Sequence, residues 1–180
     1  MTMLKDRYDH GTTFAEFCAA AKANNDLWKK IYEHAEVAPD IVTRAAAVGG
    51  PWHLLALAED WCGDAVNTLP PLARLTEVAP NITLRILARD QNLDLMDAHL
   101  TNGKSRSIPV VIFLDSNYEE RGWWGPRPGS LQEWALNEGI ALPKEERYKA
   151  LRTWYARDRG HTTLDEILTA LERVQTVTLP

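Results

Sequence analysis

The sequence predicts an α/β domain, with a central mixed sheet of about four strands flanked by helices, a helical extension before it and a helical pair after it. Three observations predict this class. Four short segments, 53–58, 82–88, 109–114 and 119–124, have strand length and are bounded by turn residues. A helix-sized stretch, 62–78, lies between the first two, so they pair in parallel through a right-handed crossover. The last two are joined by the turn-like Asp115-Ser116-Asn117-Tyr118, which makes them a hairpin.

Residues 13–35 read as helix, interrupted near Asn24 and Asn25. Thr13 and Glu16 have capping-box spacing. Phe14, Phe17, Cys18 and Ala21, then Trp28, Ile31, Tyr32 and Ala35, recur at helical spacing as one buried stripe. Residues 39–48 form a second short helix, ended by Gly49-Gly50-Pro51. The apolar run 53–58 reads as a buried strand. Residues 62–78 read as helix, kinked by Pro70 and Pro71. Then come a strand over 82–88, a short helix over 93–100, and the hairpin. Ser130 is a candidate N-cap for a helix over 131–137. Residues 144–159 place Tyr148, Leu151, Trp154 and Tyr155 on one helical face, and Gly160 ends that helix. Thr163 and Glu166 offer a second capping box before Ile167, Leu168, Leu171 and Val174.

The 180 residues, 45% hydrophobic and 25% charged, suit one domain over 1–180 with a sizeable core. Its centre is about 50–138, the N-terminal helical segment 13–48 and the added C-terminal helices 144–175. The net charge of −5 argues against a nucleic-acid or anionic-membrane partner. No apolar run approaches the roughly 20 residues that span a bilayer. The opening MTMLKDRYDHGTTF lacks the apolar stretch of a secretory signal, so a cytoplasmic, reducing location is expected. Cys18 and Cys62 are too few for a disulfide scaffold. His10, His34, His53, His99 and His161 have no ligand-like spacing, so no metal site is expected. Nothing in the pattern fixes an oligomeric state.

The stretch LAEDWCGDAVNTLPP, 57–71, carries the chemistry. Trp61-Cys62-Gly63 follows the first strand and opens a helix, where unpaired amide N–H groups and partial positive charge stabilise a thiolate. Asp60 and Asp64 oppose this through like charge. Cys62 is therefore expected to be exposed and modestly acidic. In an α/β sheet ligands approach the carboxyl ends of the strands, which puts Arg89, Asp90 and Gln91 on the same rim. The loop before Pro109 adds Lys104, Arg106 and Ser107, and the hairpin returns Trp124 and Arg127. WWGPRPG has two readings: an apolar wall and a carboxylate-binding fork, or a strand end whose tryptophan packs on the C-terminal helices.

This order of motifs resembles the thioredoxin superfamily. Glu59-Asp60-Trp61-Cys62-Gly63 looks like the approach to its redox motif, and Pro70 falls where thioredoxins kink their active-site helix. Asp90-Gln91-Asn92 lies after the next strand, as similar residues do there. Ile108-Pro109 before Val110-Val111-Ile112-Phe113 looks like the cis-proline and its strand, and Gly122 to Gly129 lies where the last strand turns into a helix. The likeness covers about 50–138. It implies a thioredoxin-like fold with Cys62 as nucleophile and Trp61, Gly63, Asp64, Arg106, Ile108, Pro109, Trp124 and Arg127 around the substrate. Three positions depart from the pattern: Ala65 replaces the resolving cysteine, Ala56 replaces a buried acid, and Asp64 stands where proline is usual.

Ala65 cannot resolve a mixed disulfide, so a second thiol must come from elsewhere. Glutathione, another small thiol or a partner protein could supply it; Cys18 lies on a stripe that reads as buried packing. Two functions follow. One is a single-cysteine thiol–disulfide oxidoreductase, acting on protein disulfides or small-molecule thiols without a resident cofactor. The other is a redox-inactive binding module, a co-chaperone or adaptor holding extended polypeptide at the Pro109 edge. A thinner third reading makes Cys62 a sensor oxidised to sulfenic acid.

Overall fold

A computed structural model describes residues 3–178. Its four strands are β1 (Trp52–Ala58), β2 (Ile82–Ala88), β3 (Val110–Leu114) and β4 (Glu120–Trp124). They form one sheet in the order β2-β1-β3-β4. β1 and β2 run parallel, Trp52 opposite Ile82 and Ala58 opposite Ala88. β3 runs antiparallel to both β1 and β4. The mixed four-strand sheet is the one the sequence predicts. β3 is buried throughout and β1 everywhere but His53, because helices cover both faces of the sheet. Strands in that position read as continuous apolar runs rather than alternating ones. The edge strand β2 is met by one bridge, Thr12 to Ile86, which blunts its open side.

The helices are α1 (Met3–His10), α2 (Phe14–Ala20), α3 (Asn25–His34), α4 (Pro39–Ala47), α5 (Ala65–Val78), α6 (Leu93–Asp97), α7 (Gly129–Leu136), α8 (Lys144–Asp158) and α9 (His161–Thr178). α1 was not expected. Its apolar signal is little more than Leu4 and Tyr8, and polar contacts dock it: the Tyr8 hydroxyl lies 2.6 Å from Thr83 Oγ1, and Arg7 Nη1 lies 2.6 Å from Asn92 Oδ1. The expected helix over 13–35 is two helices. The capping box at Thr13 and Glu16 starts α2, and Asn24, in the left-handed region at φ 56°, starts α3.

Three helix starts differ from expectation. α5 begins at Ala65 rather than residue 62, because the Cys62 N–H turns back to the Glu59 carbonyl at 3.1 Å. Pro70 and Pro71 lie inside α5 and are buried. Ser130 is not the cap of α7, which begins at Gly129. The Gly129 N–H donates instead to Glu166 Oε1 at 2.8 Å. Thr163 does not cap α9 either. It sits inside that helix, fully buried, with its hydroxyl unpartnered, while the Asp158 carboxylate accepts the Thr162 N–H at 3.1 Å.

α9 belongs to the main core. Leu164, Ile167, Leu168 and Leu171 are buried against the sheet side of the molecule, and Arg44 of α4 grips Asp165 at 2.5 Å and Glu172 at 2.9 Å. α8 does not join that core. Its Leu151 and Tyr155 pack with Leu131 in a separate apolar cluster. This difference shapes the site.

Candidate functional site

β1 delivers the chain to a turn over 59–64 that is tied down on both sides. The Asp60 carboxylate accepts the N–H groups of Lys22 at 2.7 Å and Ala23 at 3.0 Å. These bonds hold the Asp60 carboxyl below the usual carboxylate range. Trp28 Nε1 donates to the Asp60 carbonyl at 3.0 Å. On the other side Glu59 Oε1 accepts the Asp90 N–H at 2.9 Å. The turn therefore has little freedom, and it presents Trp61 outward, 53% exposed, with the Arg89 guanidinium 5.3 Å from its ring centroid.

Cys62 points inward. Its thiol donates to the Ile108 carbonyl at 3.3 Å, and the Ala65 N–H donates to its sulfur at 3.4 Å. The Ile108–Pro109 peptide bond is cis, so the fold brings the sulfur and the proline-bent backbone together across 46 positions of sequence. Exposure and acidity do not follow. Cys62 is only 7% exposed. Burial pushes its thiol above the ordinary value; the Ala65 N–H offsets this in part, and the charge of Asp64 adds to it. The expectation of an acidic thiol fails because burial outweighs the backbone N–H groups of Ala65 and Asp64, which favour the anion.

Asp64 explains the cover. Arg127 donates to its carboxylate from Nε at 3.1 Å and from Nη2 at 2.5 Å, and the Tyr155 hydroxyl donates at 2.8 Å. Arg127 also reaches Gln132 Oε1 at 2.8 Å. Burial, then the Asp64 charge, push the Tyr155 phenol well up. Burial alone would lower the Arg127 value, but Asp64 outweighs it and the guanidinium stays charged. The turn, the segment after β4 and α8 thus meet at one carboxylate two residues from Cys62.

A cavity of about 420 Å³ lies between the turn and α8. Trp61, Cys62, Gly63, Asp64 and Arg127 line it, so the fold brings these expected site residues together. Ile108 and Pro109 are buried and outside the lining, with the Ile108 carbonyl bonded to the Cys62 thiol. Two more expected residues also fall outside. Trp124 is buried and donates from Nε1 to Glu166 Oε2 of α9 at 2.8 Å, which is the packing alternative of its two readings. Arg106 forms a bidentate pair with Asp97 at 2.6 and 2.7 Å, away from the cavity lining. The Arg127 fork is filled by Asp64, so it offers no open carboxylate site.

Leu27, Asn67, Tyr148, Leu151, Arg152 and Tyr155 are also among the lining residues, and sequence reasoning missed them as site residues. Tyr148, Leu151, Arg152 and Tyr155 follow the i, i+3, i+4, i+7 spacing of one helical face, so their association was readable but its target was not. Ala56 and Ala65 are fully buried, so neither of these two positions supplies an acid or a second sulfur to Cys62. Cys18 is half-buried rather than buried. It lines a different cavity, with Phe14 and Tyr32, and burial pushes its thiol up to about 11. Among the described residues no cluster of His, Cys, Asp or Glu is placed to hold a metal, and no helix is long and apolar enough to cross a membrane.

A family model described as thioredoxin matches residues 11–149. The fold is similar to that of a Pseudomonas aeruginosa protein of unknown function, with 22% identity, coverage of 96% of this chain and 98% of that one, and a TM-score of 0.77. It is also similar to an HIV epitope-scaffold, with 19% identity, coverage of 93% and 96%, and a TM-score of 0.73. At such identities the likeness shows the fold alone. No curated protein matches the chain.

Proposed function

The chain belongs to the thioredoxin family, and from that premise we propose that it is a single-cysteine thiol–disulfide oxidoreductase with Cys62 as nucleophile and an external small thiol as resolver. The observation that carries this reading is the placement of the sulfur. Cys62 Sγ sits at the wall of a cavity, between the Ile108 carbonyl and the Ala65 N–H. The other cysteine, Cys18, lines a separate cavity.

The cycle needs two exchanges. The Cys62 thiolate attacks one sulfur of a disulfide; a Cys62–sulfur bond forms, the S–S bond of the substrate breaks, and one half leaves as a thiolate. A small thiol such as glutathione, as its thiolate, then attacks the substrate sulfur of the mixed disulfide. Cys62 leaves as a thiolate and a new small disulfide is released. The Ala65 N–H supports the charged sulfur in both steps. The reaction needs no resident cofactor, and the reducing cytoplasm is the compartment that would supply the resolving thiol.

Glutathione-coupled disulfide reduction tests the reading. Cys62→Ser should abolish it and Cys18→Ser should leave it intact; equal rates in the parent and Cys62→Ser would overturn it. A second reading, an inert adaptor holding extended polypeptide at the Pro109 edge, draws on the raised thiol pKa. Against it, Ile108 and Pro109 are buried and the Ile108 carbonyl already accepts the thiol. Peptide binding with no exchange in either protein would favour the adaptor.

A further inference from the structure

We propose that the Cys62 site is selective for small disulfides that carry a carboxylate, and that α8 imposes both the size limit and the charge preference. This inference rests on the exchange reaction proposed above and names its substrate class.

The size limit comes from the outer wall. A cavity of about 420 Å³ has room for a small disulfide, within the usual range of ligand sites. A disulfide inside a folded protein arrives with two chains attached, and α8 stands in their way. α8 is held there mainly by local means. Its apolar contacts belong to the small cluster around Leu131 rather than to the main core. Its polar tie to the turn is the Tyr155 hydroxyl on Asp64. Asp64 is in turn forked by Arg127, so the wall is latched at a charge that is already neutralised.

The charge preference comes from Arg152. Of the two cations that line the cavity, Arg127 is committed to Asp64. Arg152 is exposed, and among the described residues it has no ion-pair partner. With Asp64 and Arg127 cancelling, the lining carries one net positive charge, in a chain whose net charge is −5. Anion attraction here is therefore a local property and not one of the whole molecule. The exposed rings of Trp61 and Tyr148 and the side chain of Leu27 supply apolar walls for the linker of such a ligand. A surface charge in water at contact distance changes an encounter by about fivefold, less in high salt.

The test uses the full chain with Cys18→Ser, so that only Cys62 reports. Mixed-disulfide formation is followed by mass with dithiodipropionate, bis-hydroxyethyl disulfide and cystamine, which are anionic, neutral and cationic, and with insulin. The expected order is anionic over neutral over cationic, by about fivefold per step at low salt, with no insulin adduct. Arg152→Glu should reverse the order. Tyr155→Phe keeps the Arg127 pair but removes the tie to α8, and should raise the insulin rate by roughly tenfold. Equal rates for the three charges, an order unchanged in Arg152→Glu, or insulin reacting in the parent as fast as the small compounds would each overturn the proposal.

Alkylation reads the same limits without exchange. The native-to-unfolded rate ratio should be higher for iodoacetate than for iodoacetamide, and Arg152→Glu should invert this. A maleimide on a long polyethylene glycol chain should label native Cys62 only in Tyr155→Phe. If no disulfide reacts but these ratios hold, the exchange reading fails while the pocket selectivity stands. If the disulfides react but the ratios are flat, the selectivity fails alone.

Discussion

The two C-terminal helices are neighbours in sequence and opposites in attachment. α9 sends Leu164, Ile167, Leu168 and Leu171 into the main core and is pinned to α4 by Arg44. α8 buries only Leu151 and Tyr155, in a side cluster, and reaches the rest of the molecule through the Asp64 carboxylate. Burial of branched apolar side chains is strong and indifferent to direction. A hydrogen bond to a carboxylate is weaker and depends on geometry. The difference suggests that α9 completes the fold while α8 completes the site.

Several substitutions can break or sharpen that contrast. The largest stability loss is expected for Leu168→Ala in α9, about 2–5 kcal/mol by chemical denaturation, because a fully buried leucine leaves a cavity. Alkylation of Cys62 in the remaining native protein should not change. Leu151→Ala in α8 should cost less, about 2 kcal/mol, since that residue belongs to a small cluster of three buried side chains. Here Cys62 alkylation should accelerate; a Leu151 effect on stability alone would place α8 with α9.

The buried sulfur makes a pH prediction of known sign. The folded thiol is held above its ordinary value, near 8.5, so the unfolded chain loses its proton first. That stability is fully present below about pH 8.5 and is lost as pH rises through the folded value, by up to about 1.4 kcal/mol per pH unit. Cys62→Ala should remove this share of the slope, while Cys18, raised to about 11, keeps its own. Denaturant midpoints across the alkaline range measure both. The smallest effect belongs to Trp124→Phe, which takes the indole donor from Glu166. Glu166 keeps the Gly129 N–H, so the loss should be about 1 kcal/mol with Cys62 reactivity unchanged.

The strands are legible because each is a short run bounded by turn residues, and the parallel β1–β2 pair and the β3–β4 hairpin follow from connection lengths, whereas the antiparallel β1–β3 pair does not. That Cys62 faces Pro109 was implied by the likeness to thioredoxins rather than by connection lengths. Helix starts were less legible. Ser130 and Thr163 have the right residue type for caps, but Glu166 and Asp158 reach the exposed amides from outside the expected motif. The cover over the sulfur left no local signal. Arg127 reads as a fork for a ligand, and only the folded chain shows that Asp64 fills it, 63 positions away. Tyr155 reads as a core aromatic because helical periodicity reports that a face is buried and not what it is buried against.

The most direct measurement is peptide mapping of the protein after incubation with a small carboxylate-bearing disulfide at mildly alkaline pH. The account predicts a single mixed disulfide, on Cys62, which added glutathione removes. An adduct on Cys18 with Cys62 unmodified, or a Cys62 that reacts only once the chain is unfolded, would contradict it.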